Sequence, residues 1–94
     1  MNLLLFDEKK IISIAGAHGH LNIVKWAIAK GFPYGWYSWT SASLRGKLEV
    51  LKWAKDNDPG FCAAECLFQT PINNETDEAI EWLEEVRNAE LARV

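Results

Sequence analysis

The segment GHLNIVKWAIAK at residues 19–30 returns 27 residues later as GKLEVLKWAKDN at 46–57, with five of twelve positions identical. The identities are Gly19/Gly46, Leu21/Leu48, Lys25/Lys52, Trp26/Trp53 and Ala27/Ala54, while Ile23/Val50 and Val24/Leu51 stay apolar. A period near 27 is too long for a heptad. Units of this length cannot bury their own apolar faces, so they stack and complete each other's core. The repetition therefore predicts a layered chain in which each copy is one layer.

Within each copy the apolar residues recur at helical spacing. Leu21, Ile23, Val24, Ala27 and Ile28 mark a helix over 21–30, and Leu48, Val50, Leu51 and Ala54 mark another over 48–55. Each closes on a Gly/Pro loop, GFPYG (31–35) or NDPGF (57–61), and Gly31 stands where a helix end takes a left-handed cap. A second helix precedes each one, over 8–17 (Ile11, Ile12, Ile14, Ala15) and over 37–45 (Trp39, Ala42, Leu44). Trp39 aligns with Ile12 and is expected in the core. The small pairs Ala15/Gly16 and Ala42/Ser43 let the two helices approach, and the shared glycine makes the tight turn between them.

A third copy is degenerate. Ala79-Ile80-Glu81-Trp82-Leu83 matches Val50–Ala54 at an offset of 29, with a first helix expected over 61–69. Pro71 and the polar run 73–76 replace the glycine turn. Thr76 or Asn74 is the expected N-cap of a last helix over 77–92, with Asp77 and Glu78 at the positive end of its dipole. Glu84 with Arg87, and Glu90 with Arg93, are spaced to pair along it. The chain thus divides into one domain, 1–94, with units at about 8–34, 35–60 and 61–94.

Composition bounds the function. Hydrophobic residues at 49% and charged residues at 24% fit a folded globular chain. No apolar run reaches the ~20 residues of a membrane span, and Leu3-Leu4-Leu5-Phe6 is too short for a signal core before Asp7-Glu8. A cytoplasmic chain is expected, with the nucleus open to it by diffusion. Residues 1–72 hold eight Lys/Arg against six Asp/Glu, and residues 73–94 hold two against seven. No dense basic track exists for phosphate backbones, so nucleic acid is not an expected partner. Cys62 and Cys66, four apart, are expected as free thiols buried as small apolar side chains.

Ala15-Gly16-x-x-Gly19-His20-Leu21-x-Ile23-Val24 resembles the core pattern of ankyrin repeats. GHLNIVKWAIAKGFPYGW at 19–36, repeated as GKLEVLKWAKDNDPG at 46–60, is similar to a shortened ankyrin-like repeat found in large DNA viruses and protists. The Thr-Pro-Leu-His opening is missing, Lys47 replaces the second histidine, and the short period reduces the inter-repeat finger to a loop. The resemblance implies an all-α fold, a short ankyrin-like α-solenoid of about three helix-turn-helix repeats. It also implies a module without an active site that binds another protein, as adaptor or inhibitor, through its loops and the outer side of its first helices.

Candidate sites follow. Phe32, Tyr34, Trp36 and Tyr37 form an aromatic loop suited to a binding hot spot, set against covering helix ends. Trp26, Trp53 and Trp82 share one repeat position and are expected to stack between layers as a structural ladder. His18-x-His20 lacks a third metal ligand nearby, so no metal and no cofactor are expected. His20 instead bonds across the turn, as the family histidine does. No phosphate loop, HExxH or serine elbow is present. Glu78, Glu81 and Glu85 form a solvated capping face, or a docking face for a basic partner. Leu3, Leu4, Leu5 and Phe6 supply the alternative function, a self-associating module that pairs as a homodimer through this apolar start.

Overall fold

The computed structural model describes residues 8–92, with side chains from Lys10 onward. The described chain is all-helical: α1 (Glu8–Ala17), α2 (Leu21–Ala29), α3 (Trp36–Leu44), α4 (Leu48–Asn57), α5 (Ala63–Gln69) and α6 (Asp77–Leu91). Among the described residues there is no strand, and no helix is long and apolar enough to cross a membrane. The apolar start Leu3–Phe6 and the Glu90–Arg93 pairing lie outside or partly outside these residues.

Each of α1, α3 and α5 packs on the helix that follows it, and α3 lies between α1 and α5. The first helices thus form a row. One register, spaced by 27 residues, supplies its core: Ile12, Trp39 and Cys66 are all essentially unexposed. The register four residues on, Gly16, Ser43 and Thr70, is buried too. Ser43 Oγ donates to the Trp39 carbonyl and Thr70 Oγ1 to the Cys66 carbonyl, so each hydroxyl is satisfied inside its own helix. Gly16 sits where α1, α3 and α4 converge, since a Cβ there would lie 3.6 Å from Val50 Cγ1 and 3.8 Å from Ala42 Cβ.

The turn between paired helices is built twice in the same way. Gly19 N–H donates to the Gly16 carbonyl and His20 N–H to Ala15; Gly46 N–H donates to Ser43 and Lys47 N–H to Ala42. Gly19 (φ +77°) and Gly46 (φ +67°) occupy the left-handed region that these bonds require. The expected cap at Gly31 follows the same pattern, with Phe32 N–H bonded to the Ala27 carbonyl.

The third turn is different. Asn73 Oδ1 accepts from the backbone N–H groups of Glu75 and Thr76, and the buried Thr76 hydroxyl donates to the Pro71 carbonyl. Thr76 holds the N-cap position of α6, but its side chain makes no cap bond there; it fastens the preceding loop instead. The Glu84–Arg87 pair does not form: Arg87 donates to Asn88 Oδ1 at 3.3 Å, its Nε is buried without a partner, and its stem is half-buried.

Trp39 is the largest fully buried side chain, and its Nε1–H donates to Asp58 Oδ2 at 2.7 Å. Trp39→Ala is expected to cost about 3–5 kcal/mol, out of the ~5–10 kcal/mol that stabilises a domain of this kind. The half-buried Trp53→Ala should cost only about 1–2 kcal/mol. Urea unfolding followed by circular dichroism ranks the two.

The glycine turns separate in the same way. At Gly19 a Cβ would meet only the Lys47 side chain, whereas at Gly46 it would run into the Glu75 backbone carbonyl. Gly19→Ala should therefore show little beyond the ~1–2 kcal/mol of a left-handed residue, and Gly46→Ala should lose clearly more in the same assay.

Candidate functional site

The helical wheel of the first helices decides which side chains reach solvent. Residues two positions from the buried register lie about 200° away around the helix and face outward. They are Lys10 and Ile14 on α1, Tyr37 and Ser41 on α3, and Ala64 and Phe68 on α5, each pair recurring at 27-residue spacing. Ala17, Leu44 and Pro71 continue the strip. Ile14 is 55% exposed, Tyr37 38%, Leu44 48% and Phe68 84%, and Ile72, just beyond, is 88% exposed.

Because α1, α3 and α5 lie side by side, these residues form one surface. Lys10 is the single charged residue among its nine positions. Folded chains seldom expose contiguous apolar patches of this kind unless something covers them. Sequence inspection singled out none of Ile14, Leu44, Phe68 and Ile72 as a binding residue. The signal was present in the 27-residue recurrence of outward positions, but it becomes a surface only once the first helices are known to be neighbours.

The aromatic loop divides. Phe32 is half-buried and packs edge-on against Trp26, ring centroids 5.6 Å apart, so it belongs to the end of α2. Tyr34 is exposed along one side but leans on the buried Trp39 at 6.0 Å. Trp36 and Tyr37 open α3 as an edge-to-face pair, both exposed. Tyr37 belongs to the loop and to the first-helix strip alike, which joins the two into one surface.

The tryptophan ladder does not form as expected. Trp26 is 52% exposed, and Trp53 and Trp82 are half-buried against the core. Their ring contacts lie within their own units: Trp26 with Phe32, Trp53 with Trp39, Trp82 with Phe61. Among the described residues no ring pair joins one ladder tryptophan to another. The reason is angular: Trp26 stands two residues, or about 200°, from the buried Val24, and therefore points away from α1.

Neither histidine ring bonds across the turn as expected of His20. His18 Nδ1 donates to the Ile14 carbonyl at 2.9 Å, while the exposed His20 makes no side-chain hydrogen bond and stacks on the His18 ring. Among the described residues no three His, Cys, Asp or Glu side chains gather as a metal site. At the turns an open depression of about 450 Å³ is lined by His18, Lys47 and Lys52 together with Glu49 and Glu78. Its charges are of both signs. Glu78, Glu81 and Glu85 are exposed along α6 beside Lys52 and Trp82.

The cysteines are free, but only one is buried. Cys62 precedes α5 as its N-cap and faces solvent, because the helix starts at Ala63 rather than at Phe61. Cys66 takes the core register, and burial pushes its thiol from 9.0 up to about 11 despite a hydrogen bond with Ser43. In the native chain at pH 8 one thiol should react with an aromatic disulfide reagent, and two after denaturation. Unfolding frees the Cys66 thiol to ionise near pH 9 while the folded thiol stays protonated, so stability should fall as pH rises from 9 toward 11. Cys66→Ala should flatten that part of a pH–melting profile.

Compared with known proteins, this chain matches no family model, no curated protein and no solved structure.

Proposed function

We propose that this chain is a non-enzymatic protein-interaction module of the ankyrin-like type, an adaptor or inhibitor of the cytoplasm. It binds another protein through the loop at 32–37 and the outer face of α1, α3 and α5. One observation carries the reading. Four of the large exposed apolar side chains, Ile14, Tyr37, Leu44 and Phe68, fall on the outward side of three adjacent helices, with Tyr37 shared between that strip and the aromatic loop. Tyr and Trp at such an edge bury much area at low rotamer cost, and among the described residues Phe68 and Ile72 stand 84% and 88% exposed.

The resemblance of residues 15–24 to the ankyrin core pattern supports the same reading. So does the repetition of one turn, bond for bond, at Gly19 and Gly46.

The test is comparative capture from cell extract, with hydrogen-exchange mapping of the complex. Phe68→Glu and Tyr37→Ala are expected to lose the partner that wild type retains, at unchanged melting temperature, while Glu81→Lys on α6 keeps it. Retention of the partner by both first-helix variants, with protection mapped to α6, would overturn the reading.

A further inference from the structure

We infer that the flank of α2 turned away from the later units is a separate docking surface, which takes an acidic amphipathic helix of a protein partner. The ground is a comparison of equivalent positions. Ile23, Val50 and Ala79 hold one repeat position, and Trp26, Trp53 and Trp82 hold another. Val50 and Ala79 are 1% and 0% exposed, and Trp53 and Trp82 are half-buried against the core. Ile23 is 41% exposed and Trp26 52%. Two positions covered in the later units therefore stand open in the first. Lys30, also exposed, continues them as a stripe at i, i+3 and i+7.

The later units show what kind of element covers these positions. Trp82 and Glu85 of α6 line one depression with Leu48 and Lys52 of α4, so the tryptophan position looks back toward the preceding unit. A helix of that preceding unit covers the other position. α1 lies over the α3–α4 pair, where a Cβ on Gly16 would stand 3.6 Å from Val50 Cγ1 and 3.8 Å from Ala42 Cβ. Ala15 and Ile23 are the equivalents of Ala42 and Val50 in the first unit. A guest helix laid over them, with a small residue where Gly16 stands, repeats a contact the chain already makes, and Trp26 borders it. Charge selects the guest. Residues 9–48 carry six Lys/Arg and no Asp/Glu, whereas residues 49–94 carry four Lys/Arg and eleven Asp/Glu. α1 and α2 expose Lys10, Lys25 and Lys30 and hold no carboxylate after Glu8. An acidic helix meets opposite charge on this flank, and a basic one is repelled. The surface is distinct from the outward strip of the first helices and does not depend on it.

Titration calorimetry with two synthetic helical peptides tests it. Each is about four turns long and blocked at both ends. Each carries Ile and Ala on one face at the spacing of Ile12 and Gly16. One has Glu at its outward positions, and its twin has Lys there. Wild type should bind the acidic peptide at least about tenfold more tightly than the twin, a preference that fades with added salt. Trp26→Ala should weaken that binding at least about tenfold, and Lys30→Glu should erase the preference between the peptides. Both residues are exposed, so both variants should melt close to wild type. Phe68→Glu should leave the binding as it is, which separates failure here from failure of the outward strip. Equal binding of the two peptides, no binding, or binding indifferent to both Trp26→Ala and Lys30→Glu overturns the inference. Binding that appears only in a Leu4→Ser/Phe6→Ser chain overturns it in favour of the chain's own start as occupant. A concentration-dependent oligomer that Trp26→Ala dissolves and the acidic peptide does not displace overturns it in favour of a second copy. Tighter binding of an oligothymidylate than of the acidic peptide overturns it in favour of a nucleic acid.

Discussion

The bond from Trp39 to Asp58 is the contact on which the stack depends. α3 is the one helix with neighbours on both flanks and a paired helix behind it, and Trp39 is its central buried side chain. An indole N–H in that position must be satisfied, since stranding it costs about 1–3 kcal/mol. Asp58 satisfies it from the end of α4, and its other oxygen accepts the Gly60 N–H, which turns the chain toward α5. One carboxylate therefore holds the middle of the core and directs the chain into the third unit. Around it, Tyr34 and Trp53 pack on the Trp39 ring from the loop and from α4.

The turns show how a short period is kept. Gly19 and Gly46 accept the left-handed conformation that closes one helix and starts the next, and Gly46 also lets the Glu75–Thr76 backbone cross it. The third turn abandons glycine because Asn73 and Thr76 rebuild the same reversal from side-chain oxygens. Two additional residues shift the offset from 27 to 29, and α6 extends to fifteen residues. Its outward side carries Glu78, Glu81, Glu84 and Glu85, all exposed.

The fold sorts its surface by chemistry. Positions near 180° from the core register of the first helices are mostly apolar, Lys10 and Ser41 apart, while the outward positions of α4 and α6 hold most of the charge. An unpaired stack needs only the second kind of surface. The first kind adds little to the core of the described residues, and it is the surface that the proposed partner would cover.

Helix number, helix type, the glycine turns and the burial of Ile12 and Trp39 were all legible in the residues, because each follows from local rules: periodicity, capping and left-handed glycine. The register that predicted Trp39 also predicts Cys66, a small side chain in a position where spacing matters more than size. The tertiary structure alone decided three things. It turned Trp26 outward, since identity of repeat position says nothing about which side of the helix a neighbour covers. It gave the histidine hydrogen bond to His18, which turns back onto the Ile14 carbonyl of α1, because the ring that overhangs the last turn of α1 is the one next to its final carbonyls. And it placed Ile14, Leu44 and Phe68 on one face, since residues 27 apart in sequence share a surface only when their helices are packed side by side.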